Sequence, residues 1–216
     1  MEANSQAMSY TLHPCSIPGQ YRCLGTECGP SICDQIGCGF NPWRMGNQTF
    51  FGTGKTVDTS KKITIITQFI TSNNATDDDL TDVRRLWVQD GVVYKNSNAK
   101  FTGLTGNSLT DAFCDAEAKV FDYNNTFKAH GGMSEMGDAI GDGMVLSFAL
   151  WLDSTAHMLW LDSNYPTDRD PTQPGVSSGP CATDSGVPAD VLREQPYAAV
   201  TFSNIKIGDI GSTYCG

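Results

Sequence analysis

The chain has 216 residues, 39% of them hydrophobic, enough for one sizeable core and too many for wholesale disorder. Fourteen Lys plus Arg against 24 Asp plus Glu give a net charge of −10, which argues against nucleic acid and anionic membranes as partners, since both demand a basic footprint. The longest uncharged apolar stretch, 144–152, is far shorter than the ~20 residues that span a bilayer, and no basic-then-apolar leader opens the sequence.

Along the chain the pattern is β-rich. Five of the eight cysteines crowd between Cys15 and Cys38 in a segment without apolar periodicity, which predicts an irregular, covalently stapled loop. Residues 62–71 alternate and are rich in β-branched side chains, which predicts a strand. In 86–95, Asp90-Gly91 separates two apolar runs and predicts a two-residue hairpin. Helical segments are few: 108–121, started by a Ser/Thr cap region, and a short helical turn at 188–194. Residues 144–152, 157–161 and 198–207 predict three more strands. Glycines (22) and prolines (10) fill the connections, and no stretch has the length or bias of a linker. One domain with a β-sandwich or barrel is the expectation.

The even spacing of Cys23, Cys28, Cys33 and Cys38 raises zinc as an alternative to disulfides. Zinc sites use paired Cys-x(2–4)-Cys knuckles with a longer spacer, so disulfides are favoured and no metal or other cofactor is expected. Sequons at Asn47, Asn74 and Asn124 point the same way, to a secreted, extracellular glycoprotein. Two apparent motifs carry no chemistry. Gly52-Thr53-Gly54-Lys55-Thr56 ends like a phosphate-binding loop, but Thr49 occupies the first glycine position and no helix follows. Asp77-Asp78-Asp79 lacks the ligand spacing and the turn glycine of a calcium loop. More informative, Leu150-Trp151-Leu152-Asp153-Ser154 returns nine residues later as Leu159-Trp160-Leu161-Asp162-Ser163. Two adjacent indoles suit stacking on sugar rings, whereas two buried indoles suit a core, and the pattern leaves both readings open.

Further residues carry a resemblance. Glu2-Ala3-Asn4, Thr11-Leu12-His13-Pro14-Cys15, Cys38-Gly39-Phe40-Asn41-Pro42-Trp43-Arg44-Met45-Gly46, Val57-Asp58-Thr59, Thr67-Gln68-Phe69, Met158-Leu159-Trp160-Leu161-Asp162-Ser163, Ser185-Gly186-Val187-Pro188, Phe202-Ser203-Asn204-Ile205-Lys206 and Gly211-Ser212-Thr213 resemble, in order, the C-terminal half of the glycoside hydrolase family seven cellulases. The resemblance implies an all-β, concanavalin-like β-jelly-roll sandwich, incomplete at its N-terminal side. Residues 1–216 would form the C-terminal part of a single catalytic domain, monomeric in its full form, acting on cellulose or cello-oligosaccharides. Glu2-Ala3-Asn4 resembles the end of the family strand Glu-x-Asp-x-x-Glu-Ala-Asn, with Met1 where the family usually has Trp. Glu2 thereby resembles the general acid/base. The nucleophilic Glu and its helper Asp would lie five and three residues before Glu2, outside the sequence. Retaining hydrolysis needs two carboxyls about 5–5.5 Å apart, so Glu2 alone implies an inactive chain whose parent is the enzyme.

By the same resemblance, His13 stands beside the acid/base and Thr11 lies on its strand. Trp151 and Trp160 become sugar platforms on opposite sides of the scission point, and Arg44 lies near the product side unless it serves a structural ion pair. Tyr165-Pro166-Thr167 begins a loop that roofs the substrate tunnel. That loop places a cellobiohydrolase ahead of an endoglucanase, although the short Cys28–Cys33 spacing and Ile36 and Ser178, at positions often charged in cellobiohydrolases, imply a more open tunnel. A non-catalytic glucan-binding protein is the alternative of another class. The implied disulfides are Cys15–Cys33, Cys23–Cys28 and Cys38–Cys114, with Cys181 and Cys215 unpaired.

Overall fold

The structure, a computed structural model, describes residues 1–28, 32–73, 75 and 78–214, with residues 27 and 28 described by their backbone alone. Strands β1 (Glu2–Ala3), β2 (Met8–Leu12) and β3 (Cys38–Phe40) form one antiparallel sheet in that order. Strands β6 (Thr64–Thr71), β7 (Leu80–Gln89) and β8 (Val92–Lys95) form a second, also antiparallel. Between them lies a minimal parallel pair, β4 (Phe51–Gly52) and β5 (Val57–Asp58). Gly52-Thr53-Gly54-Lys55-Thr56 makes the connection there, with the Gly54 N–H bonded to the Asp58 carboxylate, as a turn requires. Helices α1 (Asp111–Phe121), α2 (Thr126–Ala129), α3 (Gly132–Asp142), α4 (Leu159–Asp162) and α5 (Pro188–Glu194) follow.

Alternation decides which faces meet. In β2, Met8, Tyr10 and Leu12 point into the core beside Phe40, while Ser9 and Thr11 point to the other face. In β7, Val83 and Trp87 are fully buried, and Trp87 packs against Phe50 and Phe51. The hairpin expected at Asp90-Gly91 forms, both residues adopting positive φ (53° and 78°), the geometry that matches strand twist. Helix α1 starts where Thr110 accepts the Phe113 N–H at 3.1 Å. It presents Phe113, Cys114, Glu117, Ala118 and Phe121 inward.

Disulfide Cys38–Cys114 ties α1 to β3 across 76 residues, and Cys15–Cys33 closes the cysteine-rich loop. Loop-closure entropy assigns the first of these about 4.5 kcal/mol. Cys23 is disulfide-bonded. The expected Cys23–Cys28 link, the Asn74 sequon and Cys215 lie outside the described side chains. Cys181 is free.

Three expected strands do not form. Residues 157–161 instead enter α4, because the Asp153 carboxylate collects the N–H groups of Thr155, Ala156 and Met158 and wraps the chain, with His157 and Met158 at positive φ. Met158, Leu159 and Leu161 are also good helix formers without β-branching. Residues 144–152 and 198–207 adopt no ladder, and many of their apolar side chains are exposed, Val145 by 93% and Ile207 by 88%. They run near each other, the rings of Phe148 and Phe202 lying 4.6 Å apart. A strand is completed by a neighbour's N–H and C=O groups, and neither segment has one among the described residues. The short helical segment expected at 188–194 forms as α5, opened by Pro188.

Candidate active site

The sheet β1-β2-β3 builds a polar row on the face turned away from the core. Glu2 pairs with Ser9 across the antiparallel ladder, so both side chains share a face. Thr11 and His13 follow at two-residue steps. The Ser9 and Thr11 hydroxyls lie 3.2 Å apart. His13 Nδ1 lies 3.0 Å from the Asp34 carbonyl, which can only accept, so Nδ1 donates there and the ring is held in place. Two glycines keep the row clear. Gly39 pairs with Thr11, and a Cβ there would meet Thr11 Oγ1 at 3.0 Å. A Cβ at Gly37 would meet the His13 ring at 2.7 Å.

The Glu2 side chain is 31% exposed, yet its Oε2 is buried and has no hydrogen-bond partner. The N-terminal ammonium approaches it at 3.9 Å. Asn4 closes the turn after β1, its Oδ1 accepting from the Gln6 and Ala7 N–H groups. Its Nδ2 donates to Asp162 at 2.6 Å, which clamps α4 against the end of the Glu2 strand. Burial pushes the Asp162 carboxyl up, opposed by the bonds from Asn4 and the Cys181 thiol. The same burial and the nearby Asp162 push the Cys181 thiol up to about 11, so it is no nucleophile at neutral pH.

The clamp brings α4, and Trp160 on it, to this edge of the sheet. Trp151 is half exposed and its ring lies 6.5 Å from that of Trp160 at a tilt of 35°. Trp160 is fixed by its Nε1 donating to Asp153 at 3.2 Å. The turn at 154–158 thus sets the two repeated indoles side by side. A paired, partly exposed aromatic surface offers apolar faces to sugar C–H groups.

Arg44 stands on a different footing. Its Nη1 pairs with Glu117 at 3.3 Å, its Nε donates to the Gly175 carbonyl at 2.9 Å, and its guanidinium stacks on Phe121 at 4.7 Å. Glu117 is completely buried, and desolvation pushes its carboxyl up to about 7 against the pull of Arg44, Tyr123 and the Gly39 N–H. Arg44 therefore holds the 163–178 loop to α1. Asn41 works beside it, its Nδ2 reaching the carbonyls of Leu161 and Ser178, both at 2.9 Å. Tyr165 is 42% exposed on that loop, which is closed by the Asn164–Ser177 bridge and the Tyr165 N–H to Val176. Of the glycosylation candidates, Asn47 spends its Nδ2 on Ser97, whereas Asn124 is exposed.

Glu2, Thr11 and His13 are thus brought together, Trp151 and Trp160 form a second group tied to them through Asn4 and Asp162, and Arg44 and Tyr165 belong to the loop. Ser9, Asn4 and Asp34 were not singled out from the sequence. Ser9 was detectable as the member of the Glu2 row two residues before Thr11.

The chain matches Glycosyl hydrolase family 7 over residues 1–214. It belongs to that family. A cellobiohydrolase from Daphnia pulex is 41% identical with a TM-score of 0.86, over 89% of this chain and 46% of that one. A cellobiohydrolase from Melanocarpus albomyces, complexed with cellotetraose, is 37% identical with a TM-score of 0.90, over 98% and 49%. The native endocellulase EGI of Humicola insolens is 31% identical with a TM-score of 0.76, over 90% and 45%. The family 7 chain therefore has the β-jelly-roll sandwich class of its relatives and spans about half their length.

Proposed function

We propose that this chain carries the acid/base side of a cellulase site that hydrolyses β-1,4-glucosidic bonds with retention of configuration. The observation that carries the reading is the row Glu2, Ser9, Thr11, His13 on one open sheet face, with the indoles of Trp151 and Trp160 at its edge. A retaining mechanism divides the work between a carboxyl that protonates the leaving oxygen and a second that attacks the anomeric carbon. Glu2 takes the first role, its Oε2 having no hydrogen-bond partner in the protein. His13 and Thr11 supply hydrogen-bonding groups along the same face. The nucleophile comes from residues outside the 216, so the chain alone binds glucan without cleaving it.

Cellotetraose, the ligand of the Melanocarpus albomyces relative, is the probe of choice. The chain should bind it, and replacing Trp160 by Ala should weaken binding. Undiminished binding in the Trp151→Ala/Trp160→Ala double variant would remove the platforms from the account.

Cellobiohydrolase-like action is the favoured form, because the bridged 163–178 loop supplies the roofing segment. Endoglucanase action is the second reading, favoured by the exposed Ile36, which offers no polar grip there. Cellobiose from chain ends supports the first and random internal cuts the second, measured on the parent enzyme. The non-catalytic glucan binder would bind cellotetraose yet remain inert with the family's other half supplied. The cysteine-rich loop and the exposed Asn124 sequon favour a secreted glycoprotein.

A further inference from the structure

The second sheet holds a cavity that the residues of the glucan row do not line. Strand β8 pairs with β7 from Gln89↔Val92 to Leu86↔Lys95 and then leaves it. The chain returns at Leu109, whose N–H and C=O both bond to Val83. Arg84 and Arg85 therefore lie on a stretch of β7 with no strand along that edge. The excursion between is closed on itself, the Asn107 side chain donating to the Asn96 carbonyl at 3.0 Å and the Asn96 side chain to the Asn107 carbonyl at 3.3 Å. The gap opens into a cavity of about 410 Å³ lined by Gln68, Arg84, Arg85, Lys95, Asn107 and Ser108, with Asp82 at its wall. Neither Glu2, Thr11, His13 nor either platform Trp lines it.

Arg85 is the unexplained group. It is 8% exposed and its Nε has no hydrogen-bond partner. It stacks on the Tyr10 ring at 4.9 Å, but that face-on contact leaves its in-plane N–H fork unused. Among the described residues no carboxylate lies within ion-pairing distance of it. Burial pulls its guanidinium down to about 10, opposed by the Tyr10 hydroxyl and, from beyond ion-pairing distance, by the Glu2 carboxylate, so the buried cation is only weakly compensated. Arg84 differs, because its Nε is already matched to Asp82 Oδ2 at 2.7 Å. Asp82 Oδ1 remains buried without a partner, an acceptor waiting for a donor.

We propose that this cavity binds a small hydroxy-carboxylate of monosaccharide size, a uronate or aldonate, with Arg85 as the anchoring cation. The carboxylate takes the guanidinium fork, and exposed Lys95 at the mouth adds a second positive charge. Ligand hydroxyls donate to Asp82 Oδ1 and exchange hydrogen bonds with Gln68, Asn107 and Ser108. An anion without an O–H group, such as sulfate or chloride, would meet the Asp82 carboxylate with nothing to donate to it, which favours the hydroxy acid. The volume is in the range of small-molecule sites.

Calorimetric titration of the 216-residue chain with sodium glucuronate and sodium gluconate, beside neutral glucose, tests this. The expected result is saturable binding of at least one acid, none of glucose, and weakening with added salt. Arg85→Met should reduce affinity about tenfold or more, and the exposed Lys95→Met about two- to fivefold. Circular dichroism reports whether Arg85→Met folds, and Lys95→Met with the salt series carries the test if it does not. No saturable binding of either acid, equal binding of glucose, or affinities unmoved by both substitutions would overturn the assignment.

Discussion

The buried Glu117 makes the stability of this chain fall as pH rises, the reverse of the usual carboxylate effect. Its carboxyl is held up at about 7 in the folded state against an ordinary value of 4.5. The folded state therefore binds this proton more tightly than the unfolded state. The stabilisation is complete below about 4.5, declines as pH rises, and is gone above about 7. The interval corresponds to roughly 3 kcal/mol between the two protonation states. Glu117→Gln keeps the shape and removes the titration, so its stability should be flat where the parent's declines. Arg44→Met removes the cation that favours the charged form, and should extend the decline to higher pH. Urea unfolding between pH 4 and 8, followed by tryptophan fluorescence, measures all three. A difference between parent and Glu117→Gln that stays constant from pH 5 to 7.5, or that grows in the parent's favour, would refute the reasoning.

Removing the Cys38–Cys114 link as a paired Cys38→Ala/Cys114→Ala variant should cost about 4 kcal/mol and lower the thermal midpoint by roughly 10 °C, read by calorimetry. Thr110→Ala should destabilise by about 1 kcal/mol through the lost cap of α1, checked by urea midpoint. Trp160→Ala should weaken cellotetraose binding about fivefold, on the order of 1 kcal/mol, while leaving the unfolding midpoint nearly unchanged. Gly39→Ala should disturb the Thr11 rotamer, because its methyl would sit 3.0 Å from Oγ1, and proton spectra of Thr11 report it.

Local chemistry was legible where it was self-sufficient. Asp90-Gly91 names its own turn, 62–71 alternates, and Thr110 caps a helix whose inward residues recur at helical spacing. Where the fold depends on a distant partner, pattern misled. Residues 144–152 and 198–207 have strand composition but no neighbouring backbone to complete a ladder. Helix α3 was invisible because Gly132, Gly137 and Gly141 dilute its propensity, although Met133 and Met136 bury one face. The site divided in the same way. Glu2, Thr11 and His13 came from a resemblance and share one face by simple alternation. The Asn4–Asp162 clamp joins residues 158 positions apart, which spacing alone does not reveal. Arg44 illustrates a charge whose partner, Glu117, lies inside a helix recognised from its cap region alone.

The most direct test of the central claim is cellobiose release from a soluble cello-oligosaccharide by this chain, alone and joined to the preceding half of the Daphnia pulex relative. No release is expected from the chain alone, release is expected from the joined protein, and Glu2→Gln should abolish it. Release that survives Glu2→Gln would contradict the role given to Glu2, and release by the unjoined chain would show that its own residues already hold both carboxyls.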